Sequence, residues 1–341
     1  MSNKLKPRPE FILGPQGNAQ KGAYTGGFDH ALITKPLSFS MSGIKQALGH
    51  KSWFFIGIGS EDFFVSCAIA DVGYAGNAFI TVVDLKNGKT LKDVSFIGMP
   101  KLNLHVNDYP GEGARAFFKR PGSKIEIQRI KGSSFYQVDL NLMGFKLSAT
   151  LETSGAPDTL AVIGGQNEHQ FAFTQKSNLL SVKGEMKLGK KKWDLENALG
   201  SIDYSSGIYP RIIHWYWGFA QGRLPDGRGI GFNLAKGNNL GGQLENVLWI
   251  KDKMYALTEA DFIFEKKNLM SEWKMKTADG LIDLRFTPKG IHQEHKDLKI
   301  VKSEFSQVIG VFDGMIKDPE TKEIFQISGL PGIGEDQYIK W

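Results

Sequence analysis

Apolar and polar residues alternate with a period of two along much of the chain. Tyr136, Val138, Leu140 and Leu142 alternate with polar partners, Met143-Gly144 interrupts, and Phe145, Leu147, Ala149 and Leu151 resume the pattern. This spacing predicts a hairpin of two half-buried strands joined by a tight glycine turn, with a strand through Ile125 and Ile127 before it. Similar segments predict strands at 158–163, 169–175, 179–188, 211–220, 228–235, 244–250, 254–264, 281–287, 299–312 and 322–328. Asn87-Gly88, Asp226-Gly227 and Asp279-Gly280 mark turns. Helical periodicity is confined to a turn or two at Gly43–His50 and Trp193–Leu199. The crossover helices of a parallel α/β sheet are missing, so the pattern predicts an all-β fold of antiparallel barrels or sandwiches.

About 18 strands exceed what one small barrel holds. The halves also rhyme. Trp53-Phe54-Phe55 leads through glycines to a strand ending at Asp84, and His214-Trp215-Tyr216-Trp217 leads through glycines to one ending at Asp252. Two barrel-like domains in tandem are expected, 1–175 and 176–341, the second carrying the main motifs.

Composition narrows the class. Apolar residues make up 41% and charged residues 23% of 341, enough to bury a sizeable core. The 40 glycines form no repeat and point to many tight turns. A single cysteine, Cys67, excludes an intrachain disulfide framework and a multi-thiolate metal site. No apolar h-region follows the basic N-terminus and no run approaches membrane-spanning length, so a soluble cytoplasmic protein is expected. The net charge is +6, but Lys and Arg are spread along the chain. The densest cluster, Lys183, Lys187 and Lys190 to Lys192, reads first as a solvated hairpin tip and second as a transient contact with an anionic membrane surface. Nucleic acid is not expected as a partner, and no obligate protein partner is inferred.

The least ordinary stretch runs from Asp203 to Gly218. On a strand, Arg211, Ile213, Trp215, Trp217 and Phe219 share one face, and His214 and Tyr216 the other. An arginine on an aromatic face needs a partner if buried, and Asp203 is the candidate. The pair is either a clamp on a loop or part of a substrate site. Asn233 shares its face with Gly231 and Ala235, which leaves space. Glu245 shares its face with Val247 and Trp249, and is either exposed, paired with a cation, or buried with a raised pKa. His292 and His295 lie in what reads as a polar loop, Gly290–Lys296, and a solvated turn is favoured over a metal site. Gly329–Gly334 lacks the strand-to-helix context of a nucleotide loop, and no nucleophile-elbow, phosphate-loop or zinc pattern occurs.

Asp203–Gly207, Pro210-Arg211, Trp215 with Trp217, Gly231 through Leu234, Gly237, Glu245-Asn246, Trp273, Asp283-Leu284, Phe286 with Pro288, Phe312–Gly314 and Lys340-Trp341 resemble the bacterial domain-of-unknown-function family 2804. The aromatic strand ending in Trp217-Gly218 is more remotely similar to the carotenoid 1,2-hydratase and hydroxyneurosporene synthase group. That resemblance implies two lipocalin-like barrels in tandem and addition of water to an isolated double bond without a redox cofactor. The group carries histidine two positions before its Trp-Gly, where this chain has Trp215.

Three functions follow as expectations. The first is acid–base hydration, isomerisation or cyclisation of an alkene in a barrel cavity, without cofactor or metal. Glu245 would be the acid, Arg211 and Asp203 would orient it, and Trp215 and Trp217 would face a carbocation. Asn233 and Asn246 would position water or substrate, with His214 beside them. The second is a non-catalytic carrier of an isoprenoid, fatty acid or similar hydrophobic small molecule, with Arg211 holding a carboxylate head. The third is an interaction protein with filled barrels.

Overall fold

The computed structural model describes residues 5–16, 18–31, 49–165, 171–237, 241–297 and 302–341. Among these residues the elements are twenty-four β-strands. The first fifteen are β1 (Lys6–Pro7), β2 (Gly22–Thr25), β3 (His50–Gly59), β4 (Phe63–Asp71), β5 (Gly76–Asp84), β6 (Lys89–Gly98), β7 (Leu104–Val106), β8 (Arg115–Arg120), β9 (Ser123–Gln128), β10 (Phe135–Leu142), β11 (Phe145–Glu152), β12 (Leu160–Gly164), β13 (Phe171–Leu188), β14 (Lys191–Asp194) and β15 (Leu199–Ile208). They form one sheet whose main path is β6-β5-β4-β3-β15-β13-β11-β10-β9-β8-β7. The remaining nine are β16 (Ile212–Arg223), β17 (Gly229–Lys236), β18 (Val247–Ile250), β19 (Lys253–Ala256), β20 (Ala260–Ile263), β21 (Trp273–Thr277), β22 (Ile282–Asp297), β23 (Lys302–Lys317) and β24 (Ile324–Lys340). Their order is β19-β18-β17-β16-β24-β23-β22-β21-β20. The protein is therefore all-β, with one sheet curled into a barrel and the other into a half-barrel. The change of sheet falls between Ile208 and Ile212.

The hairpin of β10 and β11 has the predicted register, with Leu142 opposite Phe145 and Gly144 at φ 76°. The turns at Gly88, Gly227 and Gly280 likewise have positive φ. The lysine-rich segment forms the β13–β14 hairpin, where Glu185 pairs with both Lys187 and Lys192.

Several elements differ from expectation. The strands expected at 169–175 and 179–188 are one strand, β13, interrupted by a bulge between Ser177 and Leu180. Trp193–Leu199 is not helical but supplies β14, a turn and the start of β15. Gly290–Lys296 is not a loop but part of β22, and Gly329–Gly334 lies inside β24. The glycines there let strands approach closely: a Cβ at Gly332 would sit 2.1 Å from the Phe219 carbonyl oxygen on β16. The helical turn expected at Gly43–His50 falls largely outside the described residues, as does His169. No helix among the described residues is long and apolar enough to cross a membrane.

Strand alternation explains where the site sits. On β3, Phe54, Ile56 and Ile58 point into the barrel, and on β15 Ile202 and Tyr204 do the same. The opposite face carries Trp53 and Phe55 from β3 and Asp203 and Ser205 from β15. On β16, Trp215 and Trp217 point away from the half-barrel core that Ala220 helps to fill. Runs such as Trp53–Ile58 and Phe63–Ala70 read as continuously apolar because both faces are buried, one in the barrel and one against the second sheet. A further core of Phe55, Phe64, Val83, Phe219, Ile309 and Ile333 cements the sheets together.

Candidate functional site

A cavity of about 320 Å³ opens between the two sheets. That volume is at the lower end of the roughly 300–1,000 Å³ of small-molecule sites. The expected position inside a barrel is thus corrected. Both sheet interiors are filled by side chains, and the space lies between their outer faces. Aromatic rings dominate its wall. Trp53 stacks on Trp215 with centroids 6.1 Å apart and leans on Tyr209 at 5.2 Å, while Phe55 meets Trp217 edge-on at 5.1 Å.

Two polar stations interrupt this wall. The first is Glu335 on β24, only 5% exposed. The Trp215 indole N–H donates to its Oε1 at 2.8 Å, and the Gln307 amide donates to its Oε2 at 2.8 Å. Gln307 is itself fixed by the Ser66 hydroxyl, which donates to its Oε1 from β4. Burial pushes the Glu335 carboxyl up to about 7, against the two hydrogen bonds and with the help of nearby Asp203. A substantial fraction of Glu335 is therefore a neutral acid near pH 7.

The second station is Lys176 on β13. Its ammonium lies 2.5 Å from Asp203 Oδ2 and 3.4 Å from Glu245 Oε2, and all three side chains are less than one-tenth exposed. Burial disfavours the charge, but Asp203 and Glu245 outweigh it and raise the Lys176 pKa above its ordinary value. Lys176 Nζ also sits 5.1 Å from the centre of the Trp217 ring. Ser205 donates to Thr174 at 2.8 Å, and Thr174 donates to Asp203 at 3.3 Å. Tyr209 lines the same region, and burial, with Glu245 and Asp203 adding, holds its phenol well above the ordinary pKa, so it is neutral.

A family described as Domain of unknown function (DUF2804) matches residues 8–341. The chain belongs to DUF2804. No protein of curated function matches it in sequence. Among solved structures, the kievitone hydratase of Nectria haematococca is similar at TM-score 0.51 and 12% identity, over 97% of this chain and 98% of that one. CghA with Sch210972 is similar at TM-score 0.52 and 11% identity, over 98% and 97%. At these identities the likeness is one of fold, two curled sheets in the lipocalin-like tandem arrangement.

This DUF2804 chain brings some of the expected residues together and separates others. Asp203, Glu245, Trp215 and Trp217 all line the cavity. Asp203 takes Lys176 as its ion-pair partner, whereas Arg211 is exposed just before β16. The Arg211 carbonyl accepts the Trp341 backbone N–H at 2.9 Å. The space expected beside Asn233 is taken up by its neighbours. Asn233 Oδ1 accepts the Trp217 indole N–H at 2.7 Å, and its amide donates to the Glu245 carbonyl at 2.8 Å. Asn233 thus fixes the Trp217 ring. Asn246 bonds to the backbones of Ala235 and Thr258. His214 lies on the opposite face of β16, as its spacing predicts, and pairs with Asp336 at 2.7 Å. Glu245 and Asn246 precede β18, which begins at Val247.

Glu335 and Lys176 were absent from the expected set. Lys176 falls between two segments read as separate strands. Glu335 follows a glycine-rich segment, yet Ile333, Glu335, Gln337 and Ile339 alternate as Glu245, Val247 and Trp249 do. The same criterion of a carboxylate on an apolar face picks it out.

His292, expected in a solvated turn, is instead buried where β22 meets β5 and β6. Its Nδ1 is 2.7 Å from Asp93 and its Nε2 3.3 Å from Glu294, and it stacks on Phe79 at 4.5 Å. Burial lowers its pKa, but the hydrogen bonds and charges of Asp93 and Glu294 dominate and raise it to about 9. A raised folded pKa gives stability that is complete below the unfolded value of 6.5 and is lost as pH rises through about 9. Proton NMR of the His292 ring is expected to show a midpoint near 9. A midpoint at or below 6.5 would mean that the carboxylates do not hold it. Among the described residues, no group of three or more His, Cys, Asp or Glu is placed to hold a metal ion.

Proposed function

We propose that this protein carries out acid–base chemistry on a lipophilic alkene, adding water, shifting the double bond or closing a ring. The observation that carries this reading is Glu335, a buried carboxyl with a pKa raised to about 7, set in the wall of an aromatic cavity. Protonating an isolated alkene requires a neutral acid kept away from bulk water.

Glu335 gives its proton to one alkene carbon, and the neighbouring carbon becomes cationic. The faces of Trp215 and Trp217 stabilise that cation, as does the station where two carboxyl groups share the Lys176 ammonium. In hydration, water bonds to the cation and loses its proton to the Asp203 carboxylate. In isomerisation, a neighbouring C–H gives up its proton to Asp203 instead. In cyclisation, a second double bond attacks, and the new ring cation loses a neighbouring proton to Asp203. Each outcome is completed when Asp203 releases its proton to solvent and Glu335 takes one back. The net reaction is redox-neutral, so the reading calls for no electron-carrying cofactor. The hydratase in the name of the Nectria haematococca protein agrees with this reading at the level of fold alone.

The test incubates the protein with a lipid extract of its own cell in water labelled with heavy oxygen. Wild type and Glu335→Gln are compared by mass spectrometry. A labelled, rearranged or cyclised product made by wild type, and reduced about 10²–10⁴-fold in the variant, is expected. A lipid retained unchanged by both proteins would overturn the acid–base reading in favour of a carrier. A product made equally by both would remove Glu335 as the acid.

A further inference from the structure

The cavity has an identifiable mouth. Among its lining residues Tyr74 is 44% and Ile97 73% exposed, so the space opens to solvent where β5 and β6 meet the chain around them. Immediately after Ile97 the chain makes a tight turn, in which the Met99 carbonyl accepts the N–H groups of Leu102, Asn103 and Leu104 at 3.2–3.3 Å. Met99 and Leu102 on this turn are 63% and 73% exposed, and the exposed Lys101 at its apex has φ 64°. Three large apolar side chains within six residues, all facing water, are unusual on a soluble surface.

Arg211, exposed just before β16, is a cation near the same opening. Arg211 is tied through its carbonyl to Trp341, which lines the cavity, and its charge acts on the Tyr74 phenol across the opening. The mouth of an apolar cavity is thus bordered by one turn of protruding apolar side chains, with Lys101 on that turn and Arg211 acting on Tyr74.

We infer that this mouth docks on an anionic lipid bilayer, with Ile97, Met99 and Leu102 entering the interface and Lys101 and Arg211 facing lipid phosphates. This inference rests on the reading of the cavity as a site for a lipophilic molecule. Such a molecule gains a path from bilayer to cavity without crossing water. Charge complementarity favours a bilayer over a neutral apolar partner, since the whole chain carries +6. The docking site differs from the lysine-rich β13–β14 hairpin, where Glu185 already pairs with Lys187 and Lys192.

The test is flotation with vesicles of phosphatidylcholine alone and with one-third phosphatidylglycerol, at low and high salt. Wild type is expected to float with the anionic vesicles and to be released by salt. Leu102→Asp should weaken binding by about tenfold or more, and Lys101→Ala by about fivefold. Met143→Asp is the control. Met143 is 86% exposed at the β10–β11 tip, beside Lys92 near the far end of β6, and its replacement should change nothing. Wild type that floats with neither vesicle, or equal losses in Met143→Asp and Leu102→Asp, would overturn the inference. Turnover of detergent-dispersed lipid, compared between wild type and Leu102→Asp, separates the two proposals. Failure to dock leaves it intact, whereas failure of the acid chemistry removes it in both.

Discussion

Glu335→Gln is expected to stabilise the protein by about 3 kcal/mol at pH 8 and by about 1 kcal/mol or less at pH 5. The carboxyl has a pKa of 4.5 unperturbed and about 7 in the fold, because burial penalises its charge more than Trp215 and Gln307 relieve it. Between these values the folded protein keeps a proton that the unfolded chain has released. Stability from this group is therefore complete below pH 4.5 and is lost as pH rises through about 7. Glutamine is neutral throughout and keeps the geometry. Its oxygen still accepts from Trp215, and its amide meets Gln307 once that side chain turns over, with Ser66 then accepting instead of donating. Denaturant unfolding of both proteins at the two pH values checks this. An equal difference at pH 5 and pH 8 would mean that Glu335 titrates normally. The same residue sets the direction of the activity profile, since turnover that needs the protonated acid falls as pH rises through about 7.

Lys176→Met is expected to destabilise the protein by about 3–5 kcal/mol. The ammonium pairs with both Asp203 and Glu245, and removing it leaves two buried carboxyl groups without that shared charge. Adding Asp203→Asn and Glu245→Gln to Lys176→Met should recover most of the loss, because the buried charge is then gone. Thermal unfolding of the single and triple variants measures both. A single variant as stable as wild type would show that the station is solvated. A triple variant no better than the single would show that packing by the lysine stem, with Trp217 above it, is what matters.

The fold was legible because strand alternation depends on local sequence, and glycines at positive φ, such as Gly144 and Gly227, mark turns unambiguously. Alternation also places Trp215 and Trp217 on the cavity face and His214 behind them. It cannot tell which sheet face meets solvent, a core or a second sheet. That is why a cavity between sheets was read as one inside a barrel. The partner of Asp203 was hidden for a similar reason. Asp203 on β15 lies directly opposite Lys176 on β13, far away in sequence, while Arg211 is near in sequence and far from that ladder. β15 was not among the expected strands because every position in Leu199–Ile208 is buried, so no alternation of polarity survives. Glu335 was obscured by its glycine neighbours, of which Gly332 lets β24 approach β16 and Gly334 leaves room for the Trp273 and Met275 side chains.

Glu335 is expected to hold its proton near neutral pH inside the cavity. Infrared difference titration of the carboxyl band lost in Glu335→Gln measures this directly, with no need to know the ligand. A protonated-carboxyl signal that disappears with a midpoint near 7 is predicted. A midpoint near 4.5 would contradict the account, because the cavity would then hold a carboxylate and no acid to give a proton to an alkene.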